Sequence, residues 1–375
     1  MPHNSFYIAG SLCLSCESKS PNAVISSSVQ ILRDIPLAPY MTLKVGGPAR
    51  YFAEPQNETE IQDALAYARE HSLEVFVLGG GSNLVVADSG WPGLVVKISI
   101  TGIETGKKND NMLFTAGAGE DWDDLVAQSV AQSCAGIECM SGIPGTVGGT
   151  PVQNVGAYGQ EVAETITTVR AIDVVSGETR QMSNSECGFL YRTSIFNTSQ
   201  KGRYIVTHVT YALRPGGAPR IEYADLKRYF ASDSSPTLLQ VREAVREIRA
   251  SKAMLITPND ENSRSAGSFF KNPIVSPAEY DRIASLPQSQ DEKPPRYPAP
   301  EGQVKISAAW LVERAGFHKG FGNGRVGISS KHTLAIVNRG GATATEIVQF
   351  KNTVQQGVLK VFGVQLHPEP VFVGF

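Results

Sequence analysis

Two glycine-dense stretches constrain this chain more than any other feature: Gly79-Gly80-Gly81-Ser82-Asn83 and Gly142-Ile143-Pro144-Gly145-Thr146-Val147-Gly148-Gly149. Both lie in sequence that otherwise reads as buried sheet. Successive glycines let backbone N–H groups turn inward and approach an anion more closely than a side-chain-bearing backbone can. One such loop suggests a phosphate. Two of them, the second continuing into Gln153-Asn154-Val155-Gly156-Ala157-Tyr158-Gly159, suggest a long ligand with a diphosphate in its middle, and so a dinucleotide cofactor. The plain alternative for either loop alone is a tight turn between strands; the Ser/Asn and Gln/Asn donors attached to them weigh against it.

The familiar phosphate loops are both absent. Gly117-Ala118-Gly119 opens like a Rossmann fingerprint, but the third glycine position holds Trp122. Gly102 to Lys107 is one residue short of a P-loop and lacks the Ser or Thr after the lysine, so it reads as a polar turn.

At 375 residues and 41% hydrophobic composition the chain can bury two or three packed units. A net charge of -2 supplies no basic field for nucleic acid. No apolar run approaches a membrane span, and the start lacks a secretory pattern, so a cytoplasmic protein without membrane insertion is expected. Residues 1–28, rich in Ser, Asn and Cys, read as a disordered extension. The cysteines Cys13, Cys16, Cys134, Cys139 and Cys187 read as reduced thiols, and neither they nor the scattered histidines have metal-ligand spacing. No metal is expected.

From about residue 42 short apolar runs alternate with amphipathic segments. Thr59 can cap a helix that places Ile61, Ala64, Leu65 and Ala68 on one face. Glu74 to Leu78 and Gly93 to Ile98 read as strands, Trp122, Leu125 and Val126 as part of a helix, and Val169 to Val175 and Tyr204 to Leu213 as antiparallel strands. Arg214 to Pro219 is the clearest break. Beyond it, helical stripes run through Val241, Ala244, Val245 and Ile248, through Ile306, Ala309 and Trp310, and through Ile347, Val354, Val358 and Val361; Pro287 to Gly302 reads as a surface loop.

Some polar groups stand where neighbours predict burial: Tyr191-Arg192, Ser268 and Lys271-Asn272 around Phe269-Phe270, and Glu369 between two prolines. Singly, each reads as a snorkelling arginine, a turn serine or an exposed glutamate. Beside a dinucleotide site, a cationic anchor, a short proton donor and a carboxylate are what reduction of a polarised double bond would use.

These residues and loops together resemble the UDP-N-acetylenolpyruvoylglucosamine reductases, the MurB family of peptidoglycan synthesis, over about residues 36–375. The resemblance is carried by Leu78 to Leu84, Gly142 to Gly149, Pro151 to Gly159, Tyr191 to Phe196 and Ala266-Gly267-Ser268-Phe269-Phe270-Lys271-Asn272-Pro273. The Pro-Val-Gln-Asn form and the segment around Tyr223 look like the first of two subtypes, which has an extra substrate-gripping loop. The resemblance implies an α+β protein. An FAD-binding domain of the vanillyl-alcohol-oxidase (PCMH) type, two subdomains over residues 36–214, would precede an α+β substrate-binding domain over 220–375, with the tail near 361–375 returning to the active site.

The resemblance also implies FAD, NADPH as hydride donor and a UDP-sugar substrate; no His or Cys stands in either glycine loop, so the flavin is expected to be non-covalent, and a monomer is expected. The cofactor would rest on Gly79, Gly80, Gly81, Ser82, Asn83, Gly145, Thr146, Gly148, Gly149, Gln153, Asn154, Gly156 and Tyr158. Ser268 matches the proton donor, Arg192 and Glu369 the groups that polarise the substrate and steady its enolic intermediate, and Tyr191, Tyr223, Lys252 and Asn272 substrate-binding positions. The reaction implied is NADPH-dependent, FAD-mediated reduction of UDP-N-acetylenolpyruvoylglucosamine to UDP-N-acetylmuramate. Departures are Pro370-Val371, where the family tail has valine and arginine after the glutamate, Met41 in place of an asparagine, and Arg314 in place of a glutamine found in some relatives. Either Arg325 or Lys331 substitutes for the missing arginine, or the surroundings of Glu369 differ. The alternatives are another flavin oxidoreductase of the same cofactor fold, such as an alcohol oxidase, or a flavin-binding module without activity.

Overall fold

The computed structural model describes residues 23–26, 28–231 and 235–375; Cys13, Cys16 and most of the expected extension lie outside them. A five-stranded sheet runs in the order Ala23–Ser26, Val29–Pro36, Pro48–Ala53, Trp91–Lys97 and Val75–Leu78. Its first strands pair antiparallel and its last ones parallel. Ala23–Ser26 falls within the stretch expected to be disordered and corrects that expectation for those residues.

Parallel pairing requires a crossover, and the helix Glu58–Glu70 supplies it between Pro48–Ala53 and Val75–Leu78. Ile61, Ala64, Leu65 and Ala68 face the core as their spacing predicts. The cap differs: Asn57, not Thr59, accepts a hydrogen bond from the Glu60 amide at 2.9 Å, while the Glu60 carboxylate accepts one from the Gln56 amide at 2.7 Å. This reciprocal arrangement satisfies donors that the first turn leaves unpaired, so the helix begins earlier.

A second sheet, wholly antiparallel, has the order Thr179–Ser183, Ile166–Asp173, Tyr204–Pro215, Asn111–Gly117, Ile103–Lys108, and Cys134–Ala135 joins the end of Tyr204–Pro215. Both sheets and the helix Trp122–Ala131 share one core, in which Ile31, Leu94, Phe114, Trp122, Leu125, Val169 and Tyr211 are buried.

In the C-terminal half the helices Leu238–Ser251 and Ala344–Phe362 bury the expected stripes, except that Ile248 and Val361 are only partly covered. The stripe begun at Ile306 is corrected: Ile306 ends the strand Val304–Ile306, and Ser307 caps the helix Ala308–Arg314. Part of the expected surface loop, Arg296–Pro298, pairs with Val304–Ile306 as an exposed strand. Leu43, Val45 and Val85 enter the core built around Phe269, Trp310, Ile336 and Phe362, so N-terminal residues complete the C-terminal core.

The chain end closes the architecture. Val371–Val373 lies parallel to Leu84–Val86, the strand that leaves the first glycine loop, and the Val371 amide donates to Asn83 O at 2.9 Å. Among the described residues no helix is long and apolar enough to cross a membrane, and no group of His, Cys, Asp and Glu could hold a metal ion.

Candidate functional site

The strand Val75–Leu78 delivers Gly79–Asn83 against the second glycine stretch. A Cβ on Gly80 would stand 2.5 Å from Gly145 Cα, and one on Gly81, whose φ is +63°, would stand 2.0 Å from Tyr40 O. The loops therefore meet backbone to backbone, a contact that only glycine permits. Trp122 N–H donates to Gly145 O, and Val147 and Gly148 donate to Glu120 O and Ala118 O, which holds the second loop in place. Asn83 Nδ2 donates to Gln153 Oε1 at 2.7 Å and links the first loop to the continuation of the second.

Thr146 Oγ1 is buried at this junction without a hydrogen-bond partner. A buried hydroxyl left unpaired is costly, and an acceptor oxygen would relieve that cost. With no acidic side chain in either loop and bare backbone on both sides, the donor set fits a diphosphate. Behind the junction, Asp123 accepts from the Gly142 amide at 2.6 Å and from Arg242 at 2.6 Å, and Arg249 Nε donates to Gly142 O at 3.1 Å. These bonds tie the second loop to the helix Leu238–Ser251, whose C-cap is Lys252.

Arg192 occupies a turn closed by Thr193 N–H to Leu190 O at 3.0 Å, with φ +54°. A side-chain-bearing residue such as arginine in the left-handed region is strained and needs its surroundings to hold it there. Its Nη2 donates to Gly156 O at 2.7 Å and its Nη1 to Asn154 O at 3.4 Å. Asn154 does more of this work than its cofactor role implied. Its Nδ2 donates to Glu161 Oε2 at 2.8 Å and to Leu190 O at 3.0 Å, and its Oδ1 accepts from Ala163 N at 3.1 Å, which commits the buried side chain to the turn itself.

Ser268 and Glu369 meet through the backbone. Phe269 N–H donates to Leu334 O at 2.8 Å, Phe269 O accepts from Glu369 N–H at 2.9 Å, and Lys271 N–H donates to His367 O at 3.0 Å. Pro368 and Pro370 carry no N–H, so Glu369 supplies the amide of that short segment. Glu369 Oε1 lies 3.3 Å from Arg192 Nε, yet that nitrogen makes no well-aligned hydrogen bond. Burial raises the Glu369 pKa above the usual carboxylate range, against the pull of Arg192 and Lys271. Arg325 pairs with Glu346 and Lys331 with Asp260, so neither replaces the missing tail arginine. The cations acting on Glu369 are Arg192 and Lys271.

Tyr223 stands at the start of the helix Ala224–Tyr229 without a side-chain cap bond, and Asp225 in its first turn binds Lys252 Nζ at 2.6 Å, which gathers two substrate candidates. Tyr158 packs edge-on to Tyr223 with centroids 5.3 Å apart, so the structure places this cofactor candidate beside the substrate candidates. Asn272 Oδ1 accepts from Ala308 N–H at 2.9 Å and so helps to begin a helix. Tyr191 lies under Lys305 Nζ, 4.4 Å from its ring centroid. Met41 is buried, and Arg314 pairs with Glu292.

Sequence reading missed Arg249, Lys305 and His332. His332 Nε2 lies 3.2 Å from Ser268 Oγ. The local signal for it was only a histidine between a polar run, Ser329-Ser330-Lys331, and an apolar one.

Residues 258–373 match the family described as UDP-N-acetylenolpyruvoylglucosamine reductase, C-terminal domain, and residues 49–183 match the FAD binding domain family. The UDP-N-acetylenolpyruvoylglucosamine reductase of Thermobifida fusca is 44% identical over 351 residues, which cover 91% of this chain and 98% of that protein. That of Mycolicibacterium smegmatis is 41% identical over 359 residues, covering 93% and 97%. The crystal structure of the enzyme from Thermus caldophilus superposes with a TM-score of 0.62 at 25% identity, over 92% of this chain and 98% of that one. Both glycine stretches lie within the FAD-binding match, so the expected cofactor and the α+β flavoprotein architecture stand. The chain belongs to the UDP-N-acetylenolpyruvoylglucosamine reductase family of flavin-dependent oxidoreductases.

Proposed function

We propose that this chain reduces UDP-N-acetylenolpyruvoylglucosamine to UDP-N-acetylmuramate with NADPH, through FAD, in peptidoglycan synthesis. The observation that carries the reading is that Arg192 Nε and Glu369 Oε1, far apart in sequence, lie 3.3 Å apart, and that the Glu369 amide bonds to Phe269 O, next in the chain to Ser268, just before the tail pairs with the start of Leu84–Val86. FAD, when bound, supplies the carrier that takes a hydride from NADPH and gives it to the enolpyruvyl ether. Gly79 to Asn83, Gly145 to Gly149 and the Thr146 hydroxyl would hold it.

The protein's own groups then have separate tasks. Lys252 and Tyr223 grip the UDP portion, with Lys252 as a charge partner for its diphosphate. Arg192, with Nη2 anchored on Gly156 O, presents its charge where the substrate carboxylate gains electron density. Glu369 adjusts that field, because its charge is costly where it stands. Ser268 delivers a proton to the carbon next to the one that receives the hydride. A serine hydroxyl is a weak acid, so this step depends on tight placement against a strongly basic intermediate. The substrate domain covers 220–375, the enzyme works in the cytoplasm as a monomer, and the donor and the sugar use the same space in turn, which gives ping-pong kinetics.

The test is anaerobic. NADPH should bleach the flavin spectrum and the enolpyruvyl UDP-sugar should restore it; bleaching without recovery rejects the reading. Ser268→Ala should leave bleaching nearly intact and slow recovery by roughly 10²–10⁴-fold, the range of positioned acid catalysis. Equal losses in both steps would make Ser268 structural.

A further inference from the structure

Ser268 gives up a proton in each turnover and must recover one. Its Oγ lies 3.2 Å from His332 Nε2. The contact is built in by the backbone: Phe269 N–H donates to Leu334 O, and Ala335 N–H donates to His332 O at 3.1 Å, so a turn presents the imidazole across from the serine. The Glu369 amide reaches the same segment through Phe269 O. Ser268 thus lies against the His332 imidazole, one residue from the backbone bond that holds Glu369.

We propose that His332 resupplies Ser268 with the proton that it gives to the substrate carbon. The inference rests on Ser268 being the donor. As the new C–H bond forms, the Ser268 O–H bond breaks. The alkoxide oxygen takes the proton from His332 Nε2 as Nδ1 accepts one from water, and loss of the Nδ1 proton to water with uptake of one at Nε2 returns the ring to its starting tautomer before the next turnover. Two tautomers of the neutral ring exchange, one proton passes from solvent to carbon, and no electrons move. The ring must be uncharged at working pH for this exchange. Burial, followed by Lys252, Lys319 and Arg249, pulls its pKa down to about 4. Those groups are all cationic, and the adjacent Lys331 is paired with Asp260. In the tautomer with hydrogen on Nε2, His332 donates to Oγ, which leaves the serine hydrogen free to point at substrate.

His332→Ala and His332→Gln, in the flavin-loaded enzyme, are the decisive pair. The glutamine amide can orient the serine by donating a hydrogen bond but cannot exchange tautomers. Both should bleach with NADPH at the unmodified rate and both should recover roughly 10²-fold more slowly, at the low end for proton-transfer groups. Added imidazole should restore part of the rate to His332→Ala. A glutamine variant that recovers at full speed makes His332 an orienting group and overturns the relay, as does equal loss in both steps. If Ser268→Ala leaves recovery intact, the donor assignment itself fails; if only the His332 variants are silent, the relay alone fails. Should neither variant fold, the recovery rate of the unmodified enzyme in mixtures of light and heavy water decides: a curved dependence is expected for two protons in motion, and a straight one overturns the proposal.

Discussion

Glu58 and Glu369 expose nearly equal fractions of their side chains, 21% and 20%, and each faces an arginine, Arg170 and Arg192. Glu58 receives Arg170 Nε and Nη2 in a paired fork, both at 2.7 Å, and Thr207 Oγ1 at 2.7 Å. Those hydrogen bonds, led by Arg170, bring its pKa down to about 2. Glu369 has a skewed contact at 3.3 Å, an arginine whose Nη atoms donate to the Asn154 and Gly156 carbonyls, and a pKa raised by burial. The exposed areas of the two carboxylates do not separate the pairs; the desolvation of Glu369 and the hydrogen bonds of Glu58 do. The fork stabilises charge in the resting fold. The skewed pair leaves Arg192 Nε without an aligned partner beside a carboxylate whose charge burial disfavours.

The largest expected break in this comparison comes from Arg192→Lys. It keeps the charge but loses the planar anchor, and should slow flavin recovery by the roughly 10²–10³-fold that one electrostatic donor is worth, with bleaching by NADPH retained. Bleaching and recovery falling together would place Arg192 on the cofactor side instead.

Next comes Glu369→Gln, expected to slow recovery by roughly 10²-fold while raising the melting temperature at neutral pH. A raised carboxyl pKa means that the folded state binds more protons than the unfolded one. Its contribution is therefore fullest below the ordinary carboxylate range and is lost as pH rises through the raised value. The stabilisation by glutamine should accordingly vanish in acid; melting curves across pH check it, and a lower melting temperature at neutral pH refutes it.

Arg170→Ala should behave in the opposite way, costing about 1.5–3 kcal/mol of stability, toward the lower figure because Arg170 is 40% exposed, with little change in the rate of either half-reaction at low temperature. The Glu58 contribution is complete above its unfolded value and lost as pH falls toward about 2. Urea titrations of the variant should show a shallower acid decline than the unmodified protein. The smallest effect belongs to Asn57→Ala, which removes the cap of the helix that begins at Glu58 and should cost about 1 kcal/mol without altering catalysis.

Much of this was legible residue by residue. The stripe Ile61, Ala64, Leu65 and Ala68 and the strands around Val169 and Tyr204 follow from local periodicity, which packing reinforced. The ends of elements were harder. Asn57 replaced Thr59 because a reciprocal bond with Glu60 was available, and Ile306 went into a strand because Ser307 could begin the next helix. In the site, Ser268, Arg192 and Glu369 were named from motif; Arg192 and Glu369 lie 3.3 Å apart, Glu369 bonds to the residue after Ser268, and the Asn154 side chain is committed to the turn and Tyr158 to the side of Tyr223. His332 had no periodic or motif signal, because its meaning lies in a turn that reaches Ser268 from a distant segment.

The amino-acid sequence by itself determined that two backbone segments could approach each other and an anion, because the permissiveness of Gly80 and Gly81 is a local property of residues without Cβ. It also determined which faces of the helices would be buried. Only the tertiary structure decided that the last strand, Val371–Val373, would lie beside Leu84–Val86, that Glu369 would meet Arg192 askew, and that His332 would stand behind Ser268. Those are contacts between segments far apart in the chain. Their closing costs entropy that no local pattern records, and packing of the whole core offsets it.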